Sequence, residues 1–185
     1  MWKILKRIAK TGIATETPPD LQKVGAGETA ATQRIHDEIL QILGRALTIR
    51  EVDAGSCNGC ELELNALNNV YYNLEGLGIK FVASPRHADL LLVTGPVSRN
   101  MALALQRTYD AIPEPKLVVA VGDCAINGGI FGESYATLGG VAKMLPVDHV
   151  IPGCPPEPIA ILQGILTAVR YRLGTRAAAD SAGHA

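Results

Sequence analysis

Short apolar runs of strand length recur along this chain with amphipathic stretches between them: LTIREVD (47–53), IKFVAS (79–84), DLLLVTG (89–95), KLVVAVG (116–122) and DHVIPG (148–153). KLVVAVG constrains the fold most, because it is apolar at successive positions. A strand of that kind is buried on both faces, as happens in a parallel sheet whose crossovers lay helices on each side. Residues 61–75, 99–111, 137–144 and 157–173 read as the helices. The second is stopped by Pro113 and Pro115; the last is entered through Pro155 and Pro156 and closed by Gly174. This alternation predicts an α/β fold of three layers around a mainly parallel sheet.

The ends read differently. Residues 1–12 form a basic amphipathic stretch in which Trp2, Leu5, Ile8 and Ala9 share a helical face, flanked by Lys3, Lys6, Arg7 and Lys10. This stretch suits docking on a partner or on a membrane surface. Residues 13–33 are polar and broken by Thr17-Pro18-Pro19-Asp20 and Gly25-Ala26-Gly27, which reads as a linker or extended arm. Residues 34–46 read as a helix ended near Gly44. The expected organisation is an N-terminal segment and linker over 1–33, an α/β domain over 34–174 and a mobile tail over 175–185.

Composition narrows the function classes. With 48% hydrophobic residues the chain is not disordered by composition. A net charge of −1 and 4% aromatics argue against nucleic acid as a partner. No apolar run approaches the roughly 18–20 residues that span a bilayer. MWKILKRIAKTG has neither a secretory apolar core nor a twin-arginine pair, so the expected compartment is the cytoplasm, where structural disulfides are rare.

Four cysteines therefore call for a different explanation. Cys57 and Cys60 follow the first strand, Cys124 follows KLVVAVG, and Cys154 follows DHVIPG directly. The carboxyl ends of parallel strands lie on one edge, where ligands bind in open α/β sheets, so all four thiols are expected to meet there. Gly55, Gly59, Gly122, Gly128, Gly129 and Gly153 flank them and let backbone N–H groups approach sulfur. Helix N-termini after Cys60 and Cys154 add positive dipole ends. Four thiolates suit a 4Fe–4S cluster. They also suit a structural zinc ion, although zinc sites usually pair two Cys-x-x-Cys knuckles and only one is present. A redox pair at Cys57 and Cys60, or four unrelated buried cysteines, are the other readings of the residues alone.

SCNGCELE (56–63), SPRHADLLLVTGPVSRNM (84–101), VGDCAINGGIF (121–131) and VDHVIPGCPPEPIAILQGIL (147–166) together resemble one family over roughly residues 47–173. It is the family shared by small subunits of NiFe hydrogenases and the cluster-bearing subunit next to the quinone site of respiratory complex I. The resemblance implies a flavodoxin-like fold and one 4Fe–4S cluster on Cys57, Cys60, Cys124 and Cys154. It also implies a large partner subunit with the NiFe site or its quinone-facing counterpart. Complex I members carry two adjacent cysteines in the first motif; this chain has the Cys-x-Gly-Cys-Glu of the hydrogenases. With no export signal, a short C-terminal region and cysteines for one cluster, it looks like the small subunit of a membrane-bound, energy-converting NiFe hydrogenase. That likeness implies an electron relay between a ferredoxin-like iron–sulfur subunit and the NiFe-bearing large subunit. The relay would sit beside membrane subunits, peripheral on the cytoplasmic side of the cell membrane. The complex I-like version, passing electrons to quinone, is the alternative.

Other residues carry weaker expectations. Glu61 and Glu63 suit the first turn of a helix, or a partner interface where they assist proton movement. Arg86 and His87 are read on the cluster edge, as solvated or capping groups or as a positive surround that stabilises a reduced cluster. Asp123 reads as a loop residue, and His36, His149 and His184 show no metal-binding pattern.

Overall fold

In the computed structural model, which describes residues 2–11, 37, 39, 40 and 44–182, the apolar runs become parallel strands. The elements in chain order are α1 (Trp2–Thr11), β1 (Leu47–Asp53), α2 (Gly59–Ala66), β2 (Ile79–Phe81), β3 (Leu90–Thr94), α3 (Arg99–Ala111), β4 (Leu117–Val121), α4 (Asp123–Asn127), β5 (His149–Ile151) and α5 (Pro158–Ala182). The sheet order is β2-β1-β3-β4-β5, all parallel, with Leu90 opposite Ile49 on one side and Leu117 on the other. This is the 2-1-3-4-5 order of flavodoxin-like sheets.

Period-two alternation explains the three layers. Leu90 and Leu92 of β3, with Leu117, Val119 and Val121 of β4, pack on one face against Leu64 of α2 and Ile161, Ile165 and Val169 of α5. Leu91, Val93, Val118 and Ala120 turn to the other face and meet Leu105 of α3 and Ala125 of α4. Leu90, Leu91, Leu92 and Val93 are all fully buried. Each such side chain contributes roughly 1.5–3 kcal/mol of apolar transfer, and truncating Leu92 to alanine would cost about 2–5 kcal/mol.

Three expectations are corrected. The helix read over 61–75 ends at Ala66. The Asn69 side chain accepts hydrogen bonds from the N–H groups of Tyr71 (2.8 Å) and Tyr72 (3.0 Å), a local turn that outcompetes helical bonding. A left-handed Asn73 then opens a 3-10 turn at Leu74–Leu77. The helix read over 137–144 is only a 3-10 turn at Val141–Lys143, preceded by Gly139 at φ +89°. The last helix does not stop at Gly174 but continues to Ala182; the alanines after Gly174 outweigh the roughly 1 kcal/mol that a helical glycine costs.

The linker expected over 13–33 lies outside the described residues. Of the helix expected over 34–46, residues 37, 39 and 40 are helical, Ile39 is fully buried, and Gly44 stands at φ +64° with its N–H bonded to the Leu40 carbonyl.

Candidate metal centre

The order 2-1-3-4-5 reverses direction between β1 and β3, and an open sheet has its ligand crevice at the carboxyl ends beside such a point. A cavity of about 60 Å³ lies there. It is lined by Ser56, Cys57, Gly59 and Cys60 after β1, Gly95 after β3, Asp123 and Cys124 after β4, and Gly153, Cys154 and Pro155 after β5. The structure thus brings together the four cysteines that the sequence separates. Cys60 and Cys124 are buried, Cys57 and Cys154 are exposed, and all four are free thiols.

Each loop is held by its own local chemistry. Asp53 Oδ1 accepts from the N–H groups of Gly55 (2.8 Å) and Ser56 (2.7 Å), which turns the chain at the end of β1. Ser56 Oγ donates to Glu61 Oε2 at 2.6 Å and accepts from the Asn58 N–H at 3.0 Å, closing the Cys57–Cys60 loop over the start of α2. The glycines have a steric reason. A Cβ on Gly122 would stand 2.6 Å from Cys60 Sγ, and one on Gly129 would stand 2.6 Å from Cys124 Sγ. The sulfurs therefore sit in cradles that a larger residue would fill.

Electrostatics favour neutral thiols at the two buried cysteines of the cluster-free chain. Burial, then Glu61 and the other three cysteines, push the Cys60 thiol up to about 12. Cys124 is raised by burial first and then by Cys154 and Cys57, against a lowering hydrogen bond from the Ile130 backbone N–H. Four thiolates at this edge need a positive group between them. Among the described residues no group of three or more His, Cys, Asp or Glu is gathered as a single metal ion requires. One tetrahedral zinc would hold sulfurs within about 3.8 Å of each other, at about 2.3 Å from the ion. The soft donor set and the glycine cradles fit an iron–sulfur group.

A second cleft adjoins this edge and was not foreseen. It has about 320 Å³ and is lined by Arg50, Glu51, Glu61, Leu64, Asn65 and Phe81, among others. Glu51 is raised above the ordinary carboxylate range, by burial first and then by Glu61. Arg50 Nε and Glu61 Oε1 are buried without a hydrogen-bond partner among the described residues. The alternation in LTIREVD gives no hint of it, since Arg50 and Glu51 point to opposite faces of β1 and still reach one cleft. Glu63 is partly exposed on α2 and lines neither cavity.

Arg86 and His87 are not at the cysteine edge. They line a third cavity, with Arg45, Thr48, Lys80 and Asp89, beside the starts of β1 and β3. The Thr48 hydroxyl lies 2.6 Å from the His87 carbonyl. From Thr48 to Asp53, where the first cysteine loop begins, the strand rises about 16 Å. The segment that follows β2 also leads into β3, and it returns to the amino edge to do so. Of the histidines, His149 lies in β5 and lines none of these cavities; His36 and His184 lie outside the described residues.

Residues 57–168 match the family described as NADH ubiquinone oxidoreductase, 20 kDa subunit. A probable membrane-bound hydrogenase subunit of Pyrococcus furiosus is 42% identical over 132 residues, covering 71% of this chain and 79% of that protein. An NADH-quinone oxidoreductase subunit of Desulfovibrio desulfuricans is 45% identical over 124 residues, 66% of each chain. Among solved structures, a chain of the membrane-bound sulfane sulfur reductase, an archaeal respiratory membrane complex, superposes with a TM-score of 0.60 at 38% identity, over 68% of this chain and 70% of that one. These relatives are subunits of oxidoreductase complexes. Among the described residues no helix is long and apolar enough to cross a membrane.

Proposed function

The chain belongs to the family of the 20 kDa subunit of NADH ubiquinone oxidoreductase, and on that premise we propose that it is an electron-transfer subunit holding one 4Fe–4S cluster on Cys57, Cys60, Cys124 and Cys154. The observation that carries this reading is the convergence of four free thiols, from three separate strand ends, on one glycine-lined cavity. When bound, the cluster supplies one-electron chemistry. The chain's own residues hold and tune it. Buried Cys60 and Cys124 anchor it inside, Cys57 and Cys154 close it toward the surface, and the Ile130 N–H donates to the Cys124 sulfur. In this reading the cluster-bearing unit spans 34–174, with 1–33 and 175–185 outside it.

With one set of four cysteines the chain is a relay, and both its donor and its acceptor belong to other subunits. We assign the acceptor as the NiFe-bearing large subunit of a membrane-bound hydrogenase and the donor as a ferredoxin-like subunit, at the cytoplasmic face of the membrane. The Cys-x-Gly-Cys-Glu motif and the Pyrococcus relative support that branch. The surface around the cavity supports a partner there. Ile130, whose backbone bonds the Cys124 sulfur, exposes 86% of its surface, and Phe131 and Leu62, near the cysteines in sequence, are exposed too. Apolar groups at such an edge fit burial against another subunit. The likeness to the Desulfovibrio NADH-quinone oxidoreductase protein keeps a second reading in view, in which the same cluster serves quinone.

The test is purification of the chain with its complex in the absence of oxygen. About four irons and four acid-labile sulfides per chain and an S = 1/2 signal on reduction are expected. Stoichiometric zinc without labile sulfide would end the reading. The partner separates the two branches: a hydrogenase large subunit has two Cys-x-x-Cys pairs for nickel and iron, and a quinone-type partner lacks them.

A further inference from the structure

Asp123 precedes Cys124, and Gly153 precedes Cys154. The two residues are bonded to each other twice. The Asp123 N–H donates to the Gly153 carbonyl at 2.8 Å, and the Gly153 N–H donates to Asp123 Oδ1 at 2.9 Å. The first bond prolongs the β4–β5 ladder past its last strand pair; the second needs a side chain with an acceptor at this position. Gly153 itself has φ +138°, and a Cβ there would stand 2.6 Å from Pro156 Cα. Position 153 therefore has no room for a side chain, and Asp123 ties the loop bearing Cys154 from the β4 side. Asp123 itself lines the cysteine cavity.

Resting on the cluster reading above, we propose that Asp123 is a positioning residue. It clamps the Cys124 loop to the Cys154 loop so that the two sulfurs stay in register, and its charge at the cavity wall holds the cluster's reduction potential low. Hydrogen bonds to charged acceptors are the stronger ones, so this tie is worth more than the ladder bond beside it. A negative group next to a cluster disfavours the added electron.

The experiment compares the wild-type full-length chain with Asp123→Ala and Asp123→Asn, all purified without oxygen. It reads iron and labile sulfide per chain, the reduced EPR spectrum and the midpoint potential. Asn keeps the acceptor oxygen and loses the charge. Asp123→Ala is expected to lose most of its cluster, and Asp123→Asn to retain it with an unchanged spectrum and a midpoint shifted upward. A full cluster with the wild-type midpoint in Asp123→Ala overturns the inference. So does cluster loss in Asp123→Asn as severe as in Asp123→Ala. If the alanine variant fails to fold, the asparagine midpoint decides: an upward shift supports the proposal and an unmoved one overturns it. A wild-type chain without iron and sulfide instead sinks the cluster reading and the inference with it, so the two failures are told apart in the wild-type arm.

Discussion

The carboxyl and amino edges of the sheet carry cavities of opposite character. At the carboxyl edge a space of about 60 Å³ is ringed by four soft thiols and by glycines that leave room for sulfur. At the amino edge a space of about 470 Å³ is lined by Arg45, Lys80, Arg86, His87 and Asp89. The larger cavity is the more structural of the two. Asp89 Oδ2 accepts from the Thr48 N–H at 3.1 Å and lies 2.7 Å from its hydroxyl, and Asp89 Oδ1 pairs with Arg45. Its charge is spent holding β3 to the start of β1. The difference teaches that cavity size does not mark the site. In the reading proposed above, convergence of one donor type does.

The sharpest way to break the comparison is Cys124→Ser. A serine oxygen is a poor ligand for iron–sulfur chemistry, and no cysteine adjoins Cys124 on its loop to replace it. On the proposed function, loss of the intact cluster and of hydrogen evolution by the complex is expected, read by iron counting alongside activity with a low-potential donor. A full cluster with activity near wild type would show that Cys124 is not a ligand.

Gly122→Ala comes next. Gly122 has φ +83° and ψ 155°, a region essentially reserved for glycine, where another residue costs about 1–3 kcal/mol. The added methyl also meets Cys60 Sγ at 2.6 Å. Reduced cluster loading and a broadened EPR signal are expected, in a chain whose far-ultraviolet circular dichroism is preserved.

Asp89→Ala should behave in the opposite sense. It removes the acceptor of the Thr48 N–H at a cost of about 1–3 kcal/mol, the Thr48 hydroxyl keeping the His87 carbonyl, so denaturant unfolding should shift down while the cluster's EPR spectrum stays as it was. A changed spectrum would erase the distinction between the two edges.

The pH response of the cluster-free chain sharpens it further. In the fold, burial and then neighbouring acidic groups hold the Cys60 thiol at about 12, against 9.0 for a free cysteine. Between those values the unfolded chain has lost the proton that the folded chain keeps, so folding stability is full below about 9 and falls as pH rises toward 12. Denaturant melts from pH 7 to 11 should show this decline, and Cys60→Ala should flatten it. The smallest effect is expected for Arg86→Ala, within about 0.5 kcal/mol of wild type and with an unchanged midpoint potential.

Much of the site was legible before the fold was known, because strand character is written in neighbouring residues. LTIREVD and 99–111 have the bounds read from their sequence, and the buried runs 89–95 and 116–122 differ only at their ends. Once those strands are parallel, cysteines that follow them must share an edge. Other features depend on competition that periodicity does not express. The Asn69 turn cuts short a helix that the pattern extends, and the helix runs on to Ala182 past a Gly174 that reads as its close.

The sequence by itself determined a parallel α/β sheet and the chemistry of its donors, since both rest on residue types and spacings within a few positions. Only the tertiary structure decided which loops meet. Arg86 and His87 belong to the amino edge because the connection after the three-residue β2 must come back down to begin β3. Arg50, Glu51 and Glu61 share a cleft because α2 folds back over β1 and β2. The Asp123–Gly153 tie exists because β4 and β5 are neighbours in register, although thirty positions apart in sequence. Strand order and register bring such groups within bonding distance, and those are properties of the assembled sheet, invisible in any window of the chain.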